Sequence, residues 1–272
     1  MAVTLGLSLA LTVLTVLISI AGLLVFRRLG VNEDLRTQHE ITDPYSQFVG
    51  MLFAVLLGFM VADAMQRFSL ARQTVEQEAS SLANVYRLAD GLPDSKRRKV
   101  QDLCLEYAEE VIQAWPMLAK KKTAAQTWNT YRVLWKECTG YEPVTARQVN
   151  AQAAILPCMS TLGDCRRLRV DAMHNGMSPI LWCILAVGGV ATILFTYFFS
   201  APNIYVQIVM VAIVSLVICL NVFLLATFDD PFSGDVMVMP TAFETQVKLF
   251  RQEKDSAYNP ATAAPIELEG PN

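Results

Sequence analysis

Residues 44–90 read PYSQFVGMLFAVLLGFMVADAMQRFSLARQTVEQEASSLANVYRLAD, and this stretch decides the fold. Asp43 and Pro44 make a good helix start, with Asp as N-cap and Pro at the first helical position. No proline follows until Pro93, and no glycine lies between Gly58 and Gly91. The expectation is one helix from Pro44 to about Asp90, ~70 Å long at 1.5 Å per residue. Residues 48–65 are apolar apart from Asp63. Only about half of such a helix fits a ~30 Å hydrocarbon layer, so the remainder should project as a rod. That remainder repeats Phe68, Val75, Leu82 and Ala89 at seven-residue spacing, with Ala71, Ala79 and Tyr86 in the intervening turns. This is a bundle or coiled-coil-like face.

Three more apolar stretches flank this helix: residues 3–26, 179–199 and 204–228. Each reaches or approaches the ~20 residues a membrane-spanning helix needs. The arrangement is two plus two, with about 110 polar residues between the pairs. The sequence therefore predicts an all-α polytopic membrane protein with four transmembrane helices in two hairpins and an intervening extramembrane helical bundle. Its expected divisions are a first hairpin at 1–65, the bundle at 66–178, a second hairpin at 179–228, a membrane-proximal acidic segment at 229–250 and a disordered tail at 251–272. Residues 3–26 lack the basic start, short apolar core and cleavage site of a signal peptide, and read as a retained helix.

Composition agrees. The 272 residues are 53% hydrophobic and only 17% charged, where a soluble domain is nearer a quarter charged. A net charge of −3 argues against nucleic acid as a partner. Six cysteines are present, and the four in the polar segment, Cys104, Cys138, Cys158 and Cys165, match no zinc spacing. A position outside the cytoplasm would permit two disulfides among them; inside, they are free thiols.

Within the bundle, amphipathic helices are expected at about 94–120, 124–137 and 144–175. Trp115–Pro116 should bend or break the first, and Pro157 and Gly163 should kink the last. Trp128, Tyr131 and Trp135 cluster on one helix and read as bundle core. The first membrane helix carries a polar stripe, Thr4, Ser8, Thr12, Thr15, Ser19 and Gly22. The last two carry Gly188, Thr192 and Thr196, and Gln207, Val211, Ser215 and Cys219. Such stripes let membrane helices approach closely, with a wet path as the other reading.

No H-E-x-x-H helix, G-x-S-x-G elbow or phosphate loop is present, so the expectation is not an enzyme. His39 and His174 sit near polar turns and read as solvated or capping residues. The second membrane helix holds the better candidates. Gly50, Ala54, Gly58 and Ala62 recur every four residues and read as a smooth helix-packing face. Phe48, Leu52, Leu56 and Phe59 form a bulky face, and symmetric copies of it would make an apolar neck that gates by dewetting. Asp63 and Arg67 follow, either as an i,i+4 ion pair or as a charged pore mouth. After the fourth helix come Asp229, Asp230 and Asp235, the first two opposing the helix dipole. They call for compensation by basic residues on the same membrane face (Arg67, Arg166, Arg167 and Arg169 are the candidates) or for a divalent cation, calcium suiting hard oxygen ligands.

Several of these pieces resemble a known group. Phe48-Val49-Gly50-Met51-Leu52-Phe53-Ala54-Val55-Leu56-Leu57-Gly58-Phe59, then Glu78-Ala79 through Leu82-Ala83-Asn84-Val85-Tyr86-Arg87, then Trp115-Pro116 are similar to the bacterial membrane proteins called bestrophin-like. So are Pro179-Ile180-Leu181-Trp182 and Asp230-Pro231-Phe232-Ser233-Gly234. The resemblance spans most of residues 1–250. It is more distant to true bestrophins, which are pentameric anion channels with an apolar neck on the second membrane helix and an acidic calcium clasp after the fourth. By that resemblance Phe48, Leu52, Leu56 and Phe59 correspond to the neck, and Asp229, Asp230 and Asp235 to the clasp, although this chain lacks the longer acidic run.

The expected function is a homo-oligomeric ion channel, pentameric by resemblance, with the lipid bilayer, copies of itself and inorganic ions as partners. Selectivity stays open between anion and cation. The alternative is a non-conducting scaffold or sensor whose bundle binds a partner. The expected location is the bacterial inner membrane. Arg27, Arg28 and Arg36 in the first short loop favour that loop in the cytoplasm and the helical domain on the periplasmic side, whereas Arg67, Arg72, Arg166, Arg167 and Arg169, which flank the domain, favour the opposite orientation.

Overall fold

A computed structural model describes residues 5–28, 39–199 and 203–258. Among them are eight α-helices and no strand: α1 Leu5–Arg28, α2 His39–Leu88, α3 Asp94–Leu118, α4 Ala125–Thr139, α5 Ala146–Ala172, α6 Pro179–Phe198, α7 Ile204–Asp229 and α8 Thr241–Tyr258. Four of them, α1, α2, α6 and α7, are long and apolar enough to cross a membrane. The protein is therefore an all-α membrane protein. Its chain divides into two compact units, Met1–Leu70 with Ala172–Val238, and Ala71–Asp171 with Met239–Asn272. The first boundary, between Leu70 and Ala71, lies inside α2, and the last, between Val238 and Met239, lies in the segment before α8.

The first unit is built by the spanning helices. Phe53, Leu57, Met60 and Ala64 of α2 are buried together with Met177, Leu185 of α6 and Leu225 of α7. Gly188 admits the Phe53 ring at a distance that a Cβ would close. A second cluster joins Leu23, Tyr197 and Val211. The polar stripe of α1 is a packing seam: Ser8, Thr12 and Ser19 are buried, and α1 packs on α7. The stripe satisfies itself locally. Thr12 Oγ1 donates to the Ser8 carbonyl and Ser19 Oγ to the Thr15 carbonyl, both at 2.8 Å. Tyr197 Oη donates to the Ser19 carbonyl at 2.7 Å, in the space left by Gly22. Thr4 lies outside the described residues. Helices α6 and α7 start on side-chain caps, Ser178 Oγ accepting from Ile180 N–H and Asn203 Oδ1 from Tyr205 N–H.

The second unit is a helical bundle. The seven-residue repeat is its core face, with Ala71, Val75, Ala79, Leu82 and Tyr86 of α2, and Ala89 just after it, all buried. Leu134 of α4 and Ile155, Met159 and Leu162 of α5 are fully enclosed. Cys104 and Cys138 are also buried, and all six cysteines are free. Burial pushes both thiols up, Cys138 to about 12, which leaves them protonated and unreactive.

Several local expectations change. Helix α2 starts at His39, so Pro44 lies inside it rather than at its first position; near a helix start a proline removes one backbone bond and its fixed φ is already helical. Pro116 and Pro157 likewise sit inside α3 and α5 without ending them. Gly163 is a seat for Tyr131, whose hydroxyl occupies the Cβ position. Trp128 and Trp135 are exposed, at 43% and 37%, not core.

The largest difference is α8. The tail expected from residue 251 is helical to Tyr258, and residues 259–272 lie outside the described residues. Phe243, Val247 and Phe250 form one buried face of α8. Phe250 stacks on Tyr86 with centroids 4.0 Å apart, and Phe243 packs by Trp115. Arg251–Glu109 at 2.5 Å and Lys254–Asp102 at 2.8 Å are exposed ion pairs at its edge. Burying each aromatic stabilises by roughly 1.5–3 kcal/mol, whereas an exposed pair contributes ~0–1 kcal/mol. Phe243→Ala should therefore destabilise the protein by about 3–5 kcal/mol and Lys254→Ala by less than ~1 kcal/mol, as read from unfolding of the detergent-solubilised chain; equal losses would mean the ion pairs hold α8.

Candidate functional site

The side of α2 opposite its packed residues is open. Phe48, Leu52 and Phe59 are 63%, 56% and 73% exposed. Leu56 leaves this face and packs against the buried Phe53–Leu57 cluster. The stripe of small residues is open as well. Ala54, Gly58 and Ala62 are exposed, and a Cβ at Gly50 or Gly58 would meet nothing within 4 Å. Among the described residues the contact of α2 with α6 and α7 is made by Phe53, Leu57, Met60 and Ala64 instead of this stripe. Small and bulky residues together form one continuous unpartnered strip.

A charge cluster lies at the far end of that strip. Arg67 Nε is 3.1 Å from Asp63 Oδ2, and Arg67 Nη2 is 3.3 Å from Asp229 Oδ1. Arg67 Nη1 also donates to the Asn175 carbonyl at 3.3 Å. Asp229 accepts the Met177 N–H at 2.7 Å. It stands at the C-terminus of α7, where a carboxylate opposes the helix dipole, and Arg67 with the Met177 N–H supplies the compensation. The Asp63 side chain stays 61% exposed, against 27% for Arg67 and 19% for Asp229. Two carboxylates share one guanidinium, which leaves the cluster one negative charge in excess, carried at the surface by Asp63.

Asp229 and Asp230, two of the three carboxylates expected for calcium, are turned to other partners. Asp229 is committed to Arg67 and Met177, and Asp230 Oδ1 accepts from Phe232 N–H at 3.2 Å within its own turn. Among the described residues no three His, Cys, Asp or Glu are grouped to hold a metal ion. The Asp230–Gly234 turn instead buries Phe232 and closes with Val238 N–H on the Pro231 carbonyl at 2.8 Å. Gly234 supplies the one positive φ it needs, 98°.

Arg166, Arg167 and Arg169, near the end of α5, have other partners. Arg167 pairs with Asp164, and the Arg166 guanidinium lies 4.7 Å from the Trp128 ring centre. Arg169 is buried with Glu78, at 7% and 0% side-chain exposure. Its Nε and Nη2 donate to the two carboxylate oxygens at 2.7 and 3.1 Å, and Tyr107 Oη donates to Glu78 Oε1 at 2.6 Å. Burial works against the Arg169 charge, but Glu78 beside it holds its pKa above the ordinary value. Burial, and then Glu78, raise that of Tyr107. Sequence reasoning missed this triad. The signal was present: Glu78 interrupts the buried register between Val75 and Leu82, where only a paired charge is tolerated.

Comparison with known proteins follows the same lines. A family model described as a bestrophin-like domain matches residues 13–243. Three crystal structures of a bacterial bestrophin homolog from Klebsiella pneumoniae share the fold. One has a TM-score of 0.67 at 14% identity, covering 89% of this chain and 97% of that one. A second has a TM-score of 0.68 at 13%, covering 91% and 98%. A third has a TM-score of 0.63 at 15%, covering 89% and 96%. No curated protein matches the sequence.

Removing one member of a buried pair strands the other's charge. Arg169→Met should destabilise the protein by roughly 3–5 kcal/mol, and adding Glu78→Met should recover most of that loss. A double-mutant cycle on unfolding of the purified protein checks this; two independent, additive losses would show that the pair is not coupled.

Proposed function

We propose that this chain, which belongs to the bestrophin-like family, works as a homo-oligomeric ion channel whose pore is lined by the open strip of α2. The observation that carries this reading is the pairing of two features on one unpartnered helix side. Gly50, Ala54, Gly58 and Ala62 allow helices to approach closely, and Phe48, Leu52 and Phe59 stand beside them. Copies of α2 brought together along the small residues would hold the bulky ones around an axis. A ring of such side chains a few ångströms across excludes water when closed and conducts when widened. Leu56 would back the ring from the packed side. The family resemblance favours five copies and placement in the bacterial inner membrane, and the arginines of the first loop favour the helical unit on the periplasmic side. A non-conducting scaffold or sensor is the second reading, favoured by the exposed aromatic surface of α4.

Asp63, Arg67 and Asp229 would stand at the mouth. With Arg67 shared by two carboxylates, the excess negative charge there supports preference for cations. The neck and the mouth are tested separately. Phe59→Ala and Leu52→Ala should raise open probability or unitary conductance in planar bilayers severalfold, since each shortens the dewetted segment; unchanged currents would remove these residues from the neck. Asp63→Asn should shift the reversal potential under a KCl gradient toward the anion value. An unshifted potential would exclude Asp63 from selection, and silent bilayers from intact oligomers would favour the scaffold.

A further inference from the structure

Asp63 and Arg67 by themselves would make a neutral mouth. They stand one helical turn apart on α2, the spacing of a helix ion pair, and such a pair presents no net charge to a passing ion. Asp229, 162 residues further along the chain from Arg67, changes this balance.

Packing on both helices fixes the meeting of Arg67 with Asp229. One turn before it, Ala64 of α2 and Leu225 of α7 are buried in the same cluster. Beside it, the Phe68 and Phe228 rings meet edge to face with centroids 5.3 Å apart. The Asp229 carboxylate is anchored as well. Its Oδ1 accepts the Met177 N–H at 2.7 Å, and its Oδ2 lies 3.5 Å from where a Cβ on Gly176 would stand. These contacts keep Asp229 on the packed side, away from the open strip.

The guanidinium is divided unequally between its two carboxylates. Nη1 and Nη2 donate to the Asn175 carbonyl and to Asp229 Oδ1, both at 3.3 Å. Nε is 3.1 Å from Asp63 Oδ2 but makes no hydrogen bond with it. Both tips of the fork are therefore turned toward the end of α7 and the 175–177 segment, and Asp63 receives proximity alone. Aligned, charge-assisted hydrogen bonds are the stronger contacts. Asp63 is left exposed, with its charge the less well matched of the two.

We infer, resting on the channel reading of α2, that Asp229 is a positioning residue for ion selection. It touches no permeant ion. It holds the Arg67 fork away from Asp63, so that each subunit presents a carboxylate at the mouth and not a neutral pair. With the charge of Asp229 removed, Arg67 closes on Asp63, one turn back on its own helix, and a bidentate pairing cancels that carboxylate. The mouth then loses its negative charge although Asp63 is still present. If Asp229 served only to finish α7, its replacement would leave selection unchanged.

The test is a double-mutant cycle on the full chain in planar bilayers under a KCl gradient, read as reversal potential, with size exclusion confirming the wild-type oligomer for each variant. One unit charge ~7 Å from an ion in water changes its local concentration roughly threefold. Asp229→Asn, which keeps an acceptor for the Met177 N–H, should lower the cation-to-anion permeability ratio by roughly that factor or more, in the same direction as Asp63→Asn. Arg67→Gln should raise the ratio by a similar factor, and this arm does not depend on the folding of Asp229→Asn. Arg67→Gln combined with Asp229→Asn should match Arg67→Gln alone, because Asp229 then has nothing to position. An unchanged ratio in Arg67→Gln overturns the inference. So does an Asp229→Asn shift that persists at full size without Arg67, which would mean that Asp229 acts on ions directly. A potential moved by Asp63→Asn but not by Asp229→Asn overturns it while leaving the channel reading intact. Silent bilayers, or no shift with Asp63→Asn, remove the selection reading itself and the role of Asp229 with it.

Discussion

A backbone inside hydrocarbon has no water to bond, so every peptide group there must be satisfied by the protein itself. That constraint shapes the membrane-spanning unit down to its side chains. It demands helices long enough to cross without a break, and α1, α2, α6 and α7 provide them. It also governs the polar residues they carry. Thr12, Thr15 and Ser19 return their hydroxyl protons to carbonyls one turn back, which lets a polar stripe serve as a packing seam. Where a helix ends, a local group takes over. Ser178 and Asn203 cap two starts, and Asp229 at the end of α7 is answered by Arg67 and the Met177 N–H.

The helical unit obeys different economics, since water competes for its polar groups. Its exposed ion pairs contribute little, and its stability rests on the enclosed faces of α2, α3, α5 and α8. Glu78 and Arg169 run against that logic. A buried pair is often no more stable than an apolar replacement, because desolvating two charges costs several kcal/mol. What the pair, with Tyr107, provides is a demand for one register between α2, α3 and α5: a slip of one residue would leave two buried charges unmatched. The triad is therefore a constraint on arrangement more than a source of stability.

Much of this was legible in the residue pattern. The seven-residue repeat from Val75 to Ala89 marked the buried side of α2, and the stripe from Ser8 to Ser19 marked the seam of α1, because periodicity reports which side of a helix avoids water. The candidate site was legible in part. Phe48, Leu52 and Phe59 share the open strip, but Leu56 rotates into the packed cluster, and Gly50 and Gly58 of the small-residue stripe face open space among the described residues. Periodicity identifies a face without naming what covers it. The same limit hid the exposure of Trp128 and Trp135: aromatic residues grouped on a helix look alike whether they face a core or an interface. Helix α8 was missed because its apolar residues, Phe243, Val247 and Phe250, gain a seat only from Tyr86 and Trp115, far away along the chain.

By itself the sequence determined the helical class, the four spans and the continuity of the long helix, since these follow from local hydropathy, helix-breaking residues and the hydrogen-bond demands of the bilayer. The tertiary structure alone decided which charges meet. Arg67 bridges Asp63 and Asp229, and Arg169 closes on Glu78, because pairing depends on which turns of distant helices face one another, and no local pattern encodes that.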